Sequence, residues 1–403
     1  MISIDEAFDH LDGNLGPLPA TTVALTTALG RVLAEPVRST LRLPPFRQSA
    51  MDGYAVARAS IADGADLVLP VEGTAAAGAV TPPLPLSPNA CQRIYTGAQV
   101  PQGCDLVVRQ EDVERRDDGT IFVEAATAAR LRDGANIREA GEELDRGAMV
   151  APAGMRLTFG AVGAVAMAGH RTVSVHRRPR VAFVVTGDEL AEPGEPLRES
   201  AVFNANSPML CAWAERAGVE VAANLCTPDD LELLTMTLAA LDADLIVTTG
   251  GASVGDRDHL RAAAAAADFR EQFWGIAQQP GKPTGFATRG ACALLALPGN
   301  PAAVFCGLAT FGARILSRLE GEGVAAPRNA TGLLAAGVRP NPNRDLWLRC
   351  ALSHSAAGTA LLQPLHRQAS HMLSNLLDCD ALARIPAGTV ALEPGATVTW
   401  IRP

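Results

Sequence analysis

Apolar runs alternate with helical patterns between about residues 178 and 321. Four almost continuously apolar runs predict strands that are buried on both faces: RVAFVVTGDEL, VEVAANL, DLIVTTGG and ACALLALPGNP. Four further segments predict helices: NSPMLCAWAERAG, DDLELLTMTLAALD, DHLRAAAAAAD as a surface helix, and AAVFCGLATFGARILSRLEG as a long closing helix. Alternating strands and helices predict a three-layer α/β unit with a mainly parallel sheet.

The flanking segments show short β-like runs separated by glycine, proline and aspartate. From about residue 51 to 143 a small β-domain is predicted by the runs ADLVLPVEG, CQRIYTG, DLVVRQEDV and TIFVEAA. From about residue 327 to 403 a second β-domain is predicted by LWLRCAL, TALLQPL and ATVTWIRP. The stretches 17–45 and 146–176 are expected to pack together as one discontinuous domain.

The composition argues against several classes of function. Only 4% of the 403 residues are aromatic and the formal net charge is −9, which disfavours both base stacking and a large phosphate-binding surface. The start, MISIDEAFDHLDG, lacks the features of a signal peptide, and FGAVGAVAMAG is too short to span a bilayer. Eight scattered cysteines indicate neither a disulfide framework nor a structural zinc site. We therefore expect a cytoplasmic protein with no nucleic-acid or membrane partner.

Three of the predicted strands end in glycine-containing turns: TGDEL (186–190), TTGGASVGDRD (248–258) and LPGNP (297–301). The carboxyl ends of parallel strands lie at one edge of the sheet, so we expect these turns to form a cleft. Glycine lets backbone N–H groups approach an anion, which makes phosphate a candidate ligand. Each turn could instead be an ordinary strand-to-helix bend that needs glycine, an alternative that is strongest for LPGNP and weakest for TTGGASVGDRD.

Carboxylates accompany two of these turns, at Asp188, Glu189, Asp256 and Asp258. Carboxylates beside phosphate-binding loops favour Mg²⁺, which prefers oxygen ligands and bridges to substrate phosphates. Solvated surface acids are the alternative for any one of them. Lys282, held in the rigid turn QQPGKPTG, would suit an oxyanion, although a lone lysine is usually solvated. No nucleophile motif occurs in the expected setting.

Eight motifs occur in an order that resembles the MoeA family of molybdopterin molybdenumtransferases, to which the E domain of gephyrin belongs. They are SAMDGYAV, TGAQVPQGCDLVVRQED, NIREAGEEL, VVTGDEL, TTGGASVGDRD, PGKP, LPGNP and SHML. The resemblance implies a transferase that inserts molybdate into the dithiolene of adenylylated molybdopterin, with Mg²⁺-dependent release of AMP. It further implies a homodimer whose active cleft lies between subunits. The molybdopterin adenylyltransferase and proteins that mature molybdoenzymes are its candidate protein partners.

The fold that we expect is α/β plus β, in an elongated chain of four domains. It combines residues 1–45 with 147–176 in a discontinuous N-terminal domain and inserts a small β-domain at 46–146. A central three-layer α/β domain with a mainly parallel sheet, which binds the molybdopterin nucleotide, spans 177–326. A β-barrel-like domain at 327–403 completes the chain.

The resemblance also assigns roles to individual residues. It implies catalysis by Asp52, Glu189, Asp258 and Lys282, and a metal held by Glu189, Asp229 and Asp258. Asp52 and Thr96, joined by Arg138 and Glu143, would line the cleft from the partner subunit. Lys282, Pro283, Arg344 and Ser370 would lie near molybdate. The remaining substrate-binding candidates belong to the three turns: Thr186, Gly187, Asp188, Gly250, Gly251, Ser253, Gly255, Pro298, Gly299, Asn300 and Pro301.

Departures from the family pattern keep other functions open. Glu143 stands where aspartate is frequent, Gln279 where a second lysine is frequent, and Ala303 where serine is frequent. Losing a cation and a hydroxyl removes two oxyanion contacts, each worth roughly 1.5–3 kcal/mol when charge-assisted. The alternatives are a non-catalytic paralogue that binds the pterin nucleotide or scaffolds partners, and an unrelated Mg²⁺-dependent nucleotide transferase.

Overall fold

The computed structural model describes residues 1–79, 85–252, 259–323 and 329–403. The helices are α1 (Ile4–Asn14), α2 (Ala125–Ala128), α3 (Phe159–Met167), α4 (Asn206–Ala217), α5 (Leu231–Ala240), α6 (Leu260–Ala266), α7 (Pro301–Gly307) and α8 (Ala313–Leu319). A π-helical segment, Leu308–Gly312, joins α7 to α8.

The strands of the N-terminal half are β1 (Ala20–Ala24), β2 (Val37–Arg38), β3 (Gln48–Ser49), β4 (Gly53–Val56), β5 (Leu67–Ala75), β6 (Cys91–Ile94), β7 (Leu106–Arg109), β8 (Glu114–Arg115), β9 (Thr120–Val123), β10 (Ile137–Arg138), β11 (Met149–Ala151), β12 (Thr172–His176) and β13 (Arg180–Thr186). Those of the C-terminal half are β14 (Leu190–Ala191), β15 (Val202–Phe203), β16 (Glu220–Thr227), β17 (Leu245–Thr249), β18 (Arg270–Trp274), β19 (Gln278–Gln279), β20 (Gly285–Arg289), β21 (Cys292–Leu297), β22 (Ala330–Leu334), β23 (Asp345–His354), β24 (Ala360–Pro364), β25 (Ala381–Ile385) and β26 (Thr397–Ile401).

A six-stranded sheet of order β16-β13-β17-β21-β20-β18 forms the centre of the α/β unit. Its first four strands run parallel, which confirms the four predicted strands and their direction. The two antiparallel strands β20 and β18, GFATR and REQFW, were not predicted. Their polar residues interrupt the apolar run that marks a doubly buried strand. The sheet is therefore mixed at one edge.

Helices cover both faces of this sheet, which confirms the three layers. Alternate residues of β13 separate the faces: Phe183 packs in one core with helices α1, α4, α7 and α8, and Val184 packs in another with α5 and α6. Local signals set the helix ends, because the Asp230 side chain caps α5 and Gly218 ends α4 with a φ of +68°. The alanine-rich α6 buries Leu260, Ala263 and Ala264, so the prediction of a surface helix was wrong for that face.

The β-like runs of residues 51–143 form a second six-stranded sheet of order β7-β4-β6-β5-β9-β8. Its core contains Tyr54, Val56, Leu106 and Val108 from paired strands. The segments before and after this sheet pair with each other, β1 with β12 and β2 with β11. The SAMDG motif begins on β3, which pairs with β10 in a separate two-stranded sheet, and ends at the first residue of β4.

The C-terminal segment forms a closed five-stranded barrel in the order β23-β24-β22-β26-β25, with β25 pairing back onto β23. This confirms the predicted barrel-like β-domain. Strand β19 of the preceding segment adds to β23 in parallel, so the Pro-Gly-Lys-Pro turn lies beside the barrel.

The closing helical segment, Pro301–Leu319, is long and apolar enough to cross a membrane by length and composition. Within the fold, 67% of its apolar window is buried. Its residues Val304, Leu308, Phe311 and Ile315 pack in the same core as strand β13. Its apolarity follows from this core position.

Candidate functional site

Three neighbouring parallel strands end together at one edge of the central sheet. Val185 of β13 pairs with Thr249 of β17, and Thr249 pairs with Leu297 of β21. The turns that begin at Thr186, Gly250 and Pro298 therefore start side by side, which confirms the predicted convergence. Of the middle turn, Ser253, Gly255, Asp256 and Asp258 lie outside the described residues.

The turns approach so closely that one position requires glycine. Gly250 has a φ of +94°, and a Cβ atom there would lie 2.2 Å from the Thr186 carbonyl oxygen. Two of the expected anion-binding donors are already used, because the Gly187 N–H donates to the Thr227 carbonyl and the Gly250 N–H to the Leu297 carbonyl, each at 3.3 Å. No described residue accepts a hydrogen bond from the N–H groups of Gly251 and Gly299.

Asn206, at the start of α4, ties two of the turns together. Its Nδ2 donates to the Gly299 carbonyl at 2.9 Å and to the Thr249 hydroxyl at 3.3 Å. The side-chain oxygen Oδ1 is buried without a hydrogen-bond partner. Asn206 is the first residue of the predicted helix NSPMLCAWAERAG, and the sequence analysis missed it as a site residue.

Asp229, which follows β16, is hydrogen-bonded to two residues of the first turn. The Thr186 hydroxyl donates to Asp229 Oδ1 at 2.6 Å, and the Asp229 N–H donates to Asp188 Oδ1 at 3.2 Å. The exposed Glu189 carboxylate lies over Gly187, where a Cβ atom would be 2.9 Å from Oε2. Within the described ranges no three acidic, histidine or cysteine side chains are grouped as a ready metal site.

The LPGNP turn links the sheet edge to the barrel. Asn300 Nδ2 donates to the Ser370 hydroxyl at 3.0 Å, and the Ala302 N–H donates to the Ser370 carbonyl at 3.2 Å. The flanking prolines Pro298 and Pro301 shape the turn, and Pro301 occupies the first turn of α7. Ala303 is 2% exposed, so its methyl group is buried in α7. Sequence-predicted residues from two segments therefore meet at Ser370.

A buried arginine lies behind Ser370. Arg349 is fully buried, and its Nη2 donates to the carbonyls of Arg367 and Ala369 at 3.0 and 3.2 Å. Among the described residues its Nε and Nη1 have no oxygen acceptor, and no ion pair includes it. Burial raises the pKa of the adjacent Cys306 thiol to about 12, against the opposing influence of the Arg349 charge. Charged groups are almost never fully buried without a counter-charge, and no described carboxylate pairs with Arg349, so Arg349 is a candidate anion ligand that the sequence analysis missed.

The Pro-Gly-Lys-Pro turn is held from inside by Gln278. Its Nε2 donates to the Gly281 carbonyl at 3.1 Å, and its Oε1 accepts from Trp347 Nε1 at 3.1 Å. Lys282 is exposed at the tip of this turn and Pro283 is half-buried. Asn341 donates to Gln279 Oε1 at 2.9 Å, which places the turn beside the half-buried Arg344. The turn and the Arg344 segment are thus neighbours along β23.

The residues of the inserted β-sheet form a separate group. Asp52 Oδ1 accepts hydrogen bonds from the Thr96 N–H at 2.8 Å and from the Thr96 hydroxyl at 2.7 Å. These two bonds, the backbone one first, lower the pKa of the Asp52 carboxyl. The exposed Arg138 lies on β10, and the Glu143 N–H donates to the Leu43 carbonyl at 2.9 Å. No hydrogen bond or ion pair between described residues joins these four side chains to the sheet edge.

Comparisons with known proteins cover nearly the whole chain. Residues 2–169 match the MoeA N-terminal region (domain I and II), residues 182–318 a probable molybdopterin binding domain, and residues 331–402 the MoeA C-terminal region (domain IV). Molybdopterin molybdenumtransferase 2 of Mycobacterium tuberculosis is 34% identical over 385 residues, 93% of each chain. The molybdopterin molybdenumtransferase of Staphylococcus aureus is 30% identical over 409 residues, 99% of this chain and 95% of that protein.

Solved structures agree with the sequence matches. The molybdopterin biosynthesis MoeA protein from Pyrococcus horikoshii superimposes with a TM-score of 0.84 at 25% identity, over 99% of both chains. A second structure of a MoeA protein from this organism gives a TM-score of 0.81 at 26% identity, over 100% of this chain and 99% of that one. Both the domain matches and the full-length relatives point to one family. The chain belongs to the MoeA family.

Proposed function

We propose that this protein is a molybdopterin molybdenumtransferase of molybdenum cofactor biosynthesis. It inserts molybdate into the dithiolene of adenylylated molybdopterin and releases AMP. The observation that carries the proposal is the continuous set of contacts from Asp229 through the three turns to Ser370 and Arg349. Together these residues offer both a phosphate-binding edge and an anion-binding end.

The electrostatic problem of the reaction is repulsion, because molybdate is a dianion and its acceptor carries a phosphate and a dithiolene. Two positively charged side chains can offset this negative charge. Lys282 is exposed on its turn, and Arg349, which has no ion-pair partner among the described residues, is buried behind Ser370. Fixed donors and cations act strongly where water is excluded. We assign molybdate to this end of the site, bound by Lys282, Pro283 and Ser370, with Arg349 behind Ser370 and Arg344 at the rim.

The opposite end of the site suits the nucleotide and a hard cation. Glu189, Asp188 and Asp229 provide carboxylate oxygens, and Mg²⁺ in proteins is commonly bound through one or two carboxylates and substrate phosphates. Glu189 and Asp229, with Asp258, are therefore the residues that hold Mg²⁺ in this proposal. When bound, Mg²⁺ supplies charge neutralisation at the adenylate phosphate. Gly251 and Gly299 donate to the same phosphate through N–H groups that have no acceptor among the described residues.

A homodimer completes the site in this proposal. Asp52, Thr96, Arg138 and Glu143 are exposed or part of an exposed loop in one subunit and share no hydrogen bond with its sheet edge. A second subunit delivers them to that edge. The protein acts in the cytoplasm, between the molybdopterin adenylyltransferase, which supplies the substrate, and the proteins that mature molybdoenzymes.

AMP release from adenylylated molybdopterin tests the proposal, measured with and without molybdate and Mg²⁺. Release that requires both supports the transferase. Tight binding of the nucleotide without release would instead favour a non-catalytic paralogue. The variant Glu189→Gln tests the proposed Mg²⁺ ligands. If this variant releases AMP at the wild-type rate, the assignment of Glu189 to the metal site is wrong.

A further inference from the structure

Both tyrosines of the chain contact the same arginine, next to the Asp52–Thr96 pair. The Arg93 guanidinium carbon lies 5.1 Å from the centre of the Tyr54 ring and 5.0 Å from that of the Tyr95 ring. Arg93 is fixed further by hydrogen bonds to Gln110 Oε1 at 2.6 Å and to the Gly53 carbonyl at 3.3 Å. A cation over an aromatic face stabilises that arrangement. Arg93 therefore lies over both rings and is held in place by two hydrogen bonds.

The two rings differ in exposure. Tyr54 is 2% exposed and belongs to the core of the sheet, whereas Tyr95 is 42% exposed. Arg93 occupies one face of the Tyr95 ring. An exposed aromatic ring that is backed by a fixed guanidinium loses little conformational entropy when a flat ligand stacks on it.

The sheet register places Tyr95 beside a carboxylate. Gly53 pairs with Ile94 in the antiparallel β4–β6 ladder, so Asp52 and Tyr95 stand opposite each other just beyond the strand ends. Oδ1 of Asp52 accepts both Thr96 donors, and no described residue donates to Oδ2. A flat ring on Tyr95 would therefore have a free carboxylate oxygen at its edge. Hydrogen bonds from N–H donors to an ionised carboxylate oxygen are stronger than those to neutral acceptors.

We infer that Tyr95, backed by Arg93, is a stacking platform for a fused heteroaromatic ring whose N–H groups are bound by Asp52. The inference rests on the proposed function and deepens it, because the nucleotide substrate carries two such rings, a pterin and an adenine. Both are flat, and both present N–H donors at an edge. Tyr95 is then a specificity-determining residue for the organic half of the substrate.

Binding of two ligands to four proteins tests the inference. The proteins are the wild type, Tyr95→Leu, Tyr95→Phe and Phe122→Leu, and the ligands are molybdopterin and adenylylated molybdopterin. Phe122 is the matched control because it also carries an arginine, with Arg116 4.5 Å from its ring centre, but it lies on β9, two strands away from β6. Circular dichroism checks the folding of each variant.

Stacking on an aromatic side chain is worth roughly 1–3 kcal/mol per base, which converts to a roughly 5- to 150-fold change in Kd. We expect Tyr95→Leu to raise the Kd of adenylylated molybdopterin by this factor, and Tyr95→Phe and Phe122→Leu to stay within about twofold of wild type because the stacked ring is unchanged. If Tyr95 stacks on the pterin, Tyr95→Leu weakens both ligands equally. If it stacks on adenine, only the adenylylated ligand is weakened.

The experiment distinguishes a failure of the proposed function from a failure of the stacking inference. A wild-type protein that binds neither ligand contradicts the proposed function itself, and the platform with it. A wild type that binds while Tyr95→Leu binds equally well contradicts only the platform. Should Tyr95→Leu misfold, Tyr95→Trp replaces it: a tryptophan at 95 must be quenched by bound ligand, and an unquenched indole overturns the inference.

Discussion

The sheet edge of the α/β unit and the Asp52–Thr96 group carry similar polar residues, but the chain holds them in different ways. At the sheet edge, Thr248 and Thr249 are fully buried and Asn206 is 6% exposed, so the turns rest on a packed layer. Among the described residues, the Asp52 carboxylate instead has hydrogen bonds from a single residue, Thr96, in an exposed turn of the inserted sheet. The comparison indicates that one half of the site is rigid by packing, whereas the other depends on a few hydrogen bonds.

This difference has a consequence for mutation. Substitutions at the sheet edge should change the stability of the protein together with its activity, because the same contacts serve both. Substitutions in the Asp52 group should change local charge and binding with little effect on stability. The following predictions test this contrast, beginning with the largest expected effect.

Gly250→Ala should be the most damaging change. The new Cβ would lie 2.2 Å from the Thr186 carbonyl oxygen at a φ of +94°, so both the backbone and the neighbouring turn must move. We expect the free energy of unfolding, measured by urea denaturation, to fall by more than about 2 kcal/mol. Gly299→Ala is the matched control, since its Cβ would meet no atom closer than 3.6 Å, and it should cost less than about 1 kcal/mol. Equal losses for both variants would refute a tightly packed edge.

Arg349→Met should separate activity from stability within the rigid half. The change removes a buried guanidinium that has two unpaired nitrogens, so the loss of its two carbonyl contacts is partly offset by relief of a buried charge. We expect the KM for molybdate to rise roughly 10- to 100-fold, the loss of one charge-assisted contact. Urea denaturation should show a much smaller change.

Arg344→Met is the comparison that decides between the two arginines. Arg344 is half-buried at the rim of the barrel. The family resemblance placed Arg344 near molybdate, whereas Arg349 was missed. The structure favours the fully buried side chain, so Arg344→Met should raise the KM for molybdate less than Arg349→Met. The reverse order would make Arg349 a structural residue.

Asn206→Asp should loosen the clamp between two turns. Aspartate keeps the shape but cannot donate to the Gly299 carbonyl or the Thr249 hydroxyl, and it places a negative charge against the carbonyl. We expect a loss of roughly 1–3 kcal/mol in the free energy of unfolding. The same change at the exposed Asn343, whose side chain has no hydrogen-bond partner among the described residues, should stay within about 0.5 kcal/mol. If the two variants lose equally little, Asn206 does not hold the turns.

The sequence predicted the sheet edge better than the other half of the site, for a physical reason. A parallel strand that is buried on both faces appears as a continuous apolar run, and its end marks the edge of the sheet without knowledge of distant contacts. RVAFVVT, DLIVTT and ALLAL therefore placed three turns together correctly. The antiparallel strands β18 and β20 lacked this signal.

The hydrophobic pattern of the sequence could not predict contacts between segments that are distant along the chain. Arg349 lies in the run LWLRCAL, where its charge among apolar residues was the only sign of a special position. The pairing of Asp52 with Thr96 depends on the β4–β6 register across about forty residues, and only the motif resemblance pointed to it. The run of alanines in α6 shows no alternation between apolar and polar positions, so the sequence did not indicate which face of this helix is buried.

Thr96→Val tests the smallest and most local effect, the hydrogen-bonded charge of Asp52. The chain contains a structural counterpart, since Asp118 Oδ1 accepts from the Thr120 N–H at 3.0 Å and from its hydroxyl at 2.6 Å. Both carboxyls have a pKa below the ordinary value, so their hydrogen bonds stabilise the fold above about pH 4 and are lost as the pH falls through the folded pKa.

Valine removes the hydroxyl and keeps the N–H. The N–H bond is the larger cause of the lowered pKa at Asp52, whereas the hydroxyl is the larger cause at Asp118. NMR titration of the two carboxyls should therefore show a smaller upward shift of the pKa in Thr96→Val than in Thr120→Val. AMP release should respond in the opposite order, because only Asp52 belongs to the proposed site: Thr96→Val slows it and Thr120→Val leaves it unchanged. If both variants release AMP at the wild-type rate, the Asp52–Thr96 pair is an ordinary turn like its counterpart, and the second half of the site must be sought elsewhere.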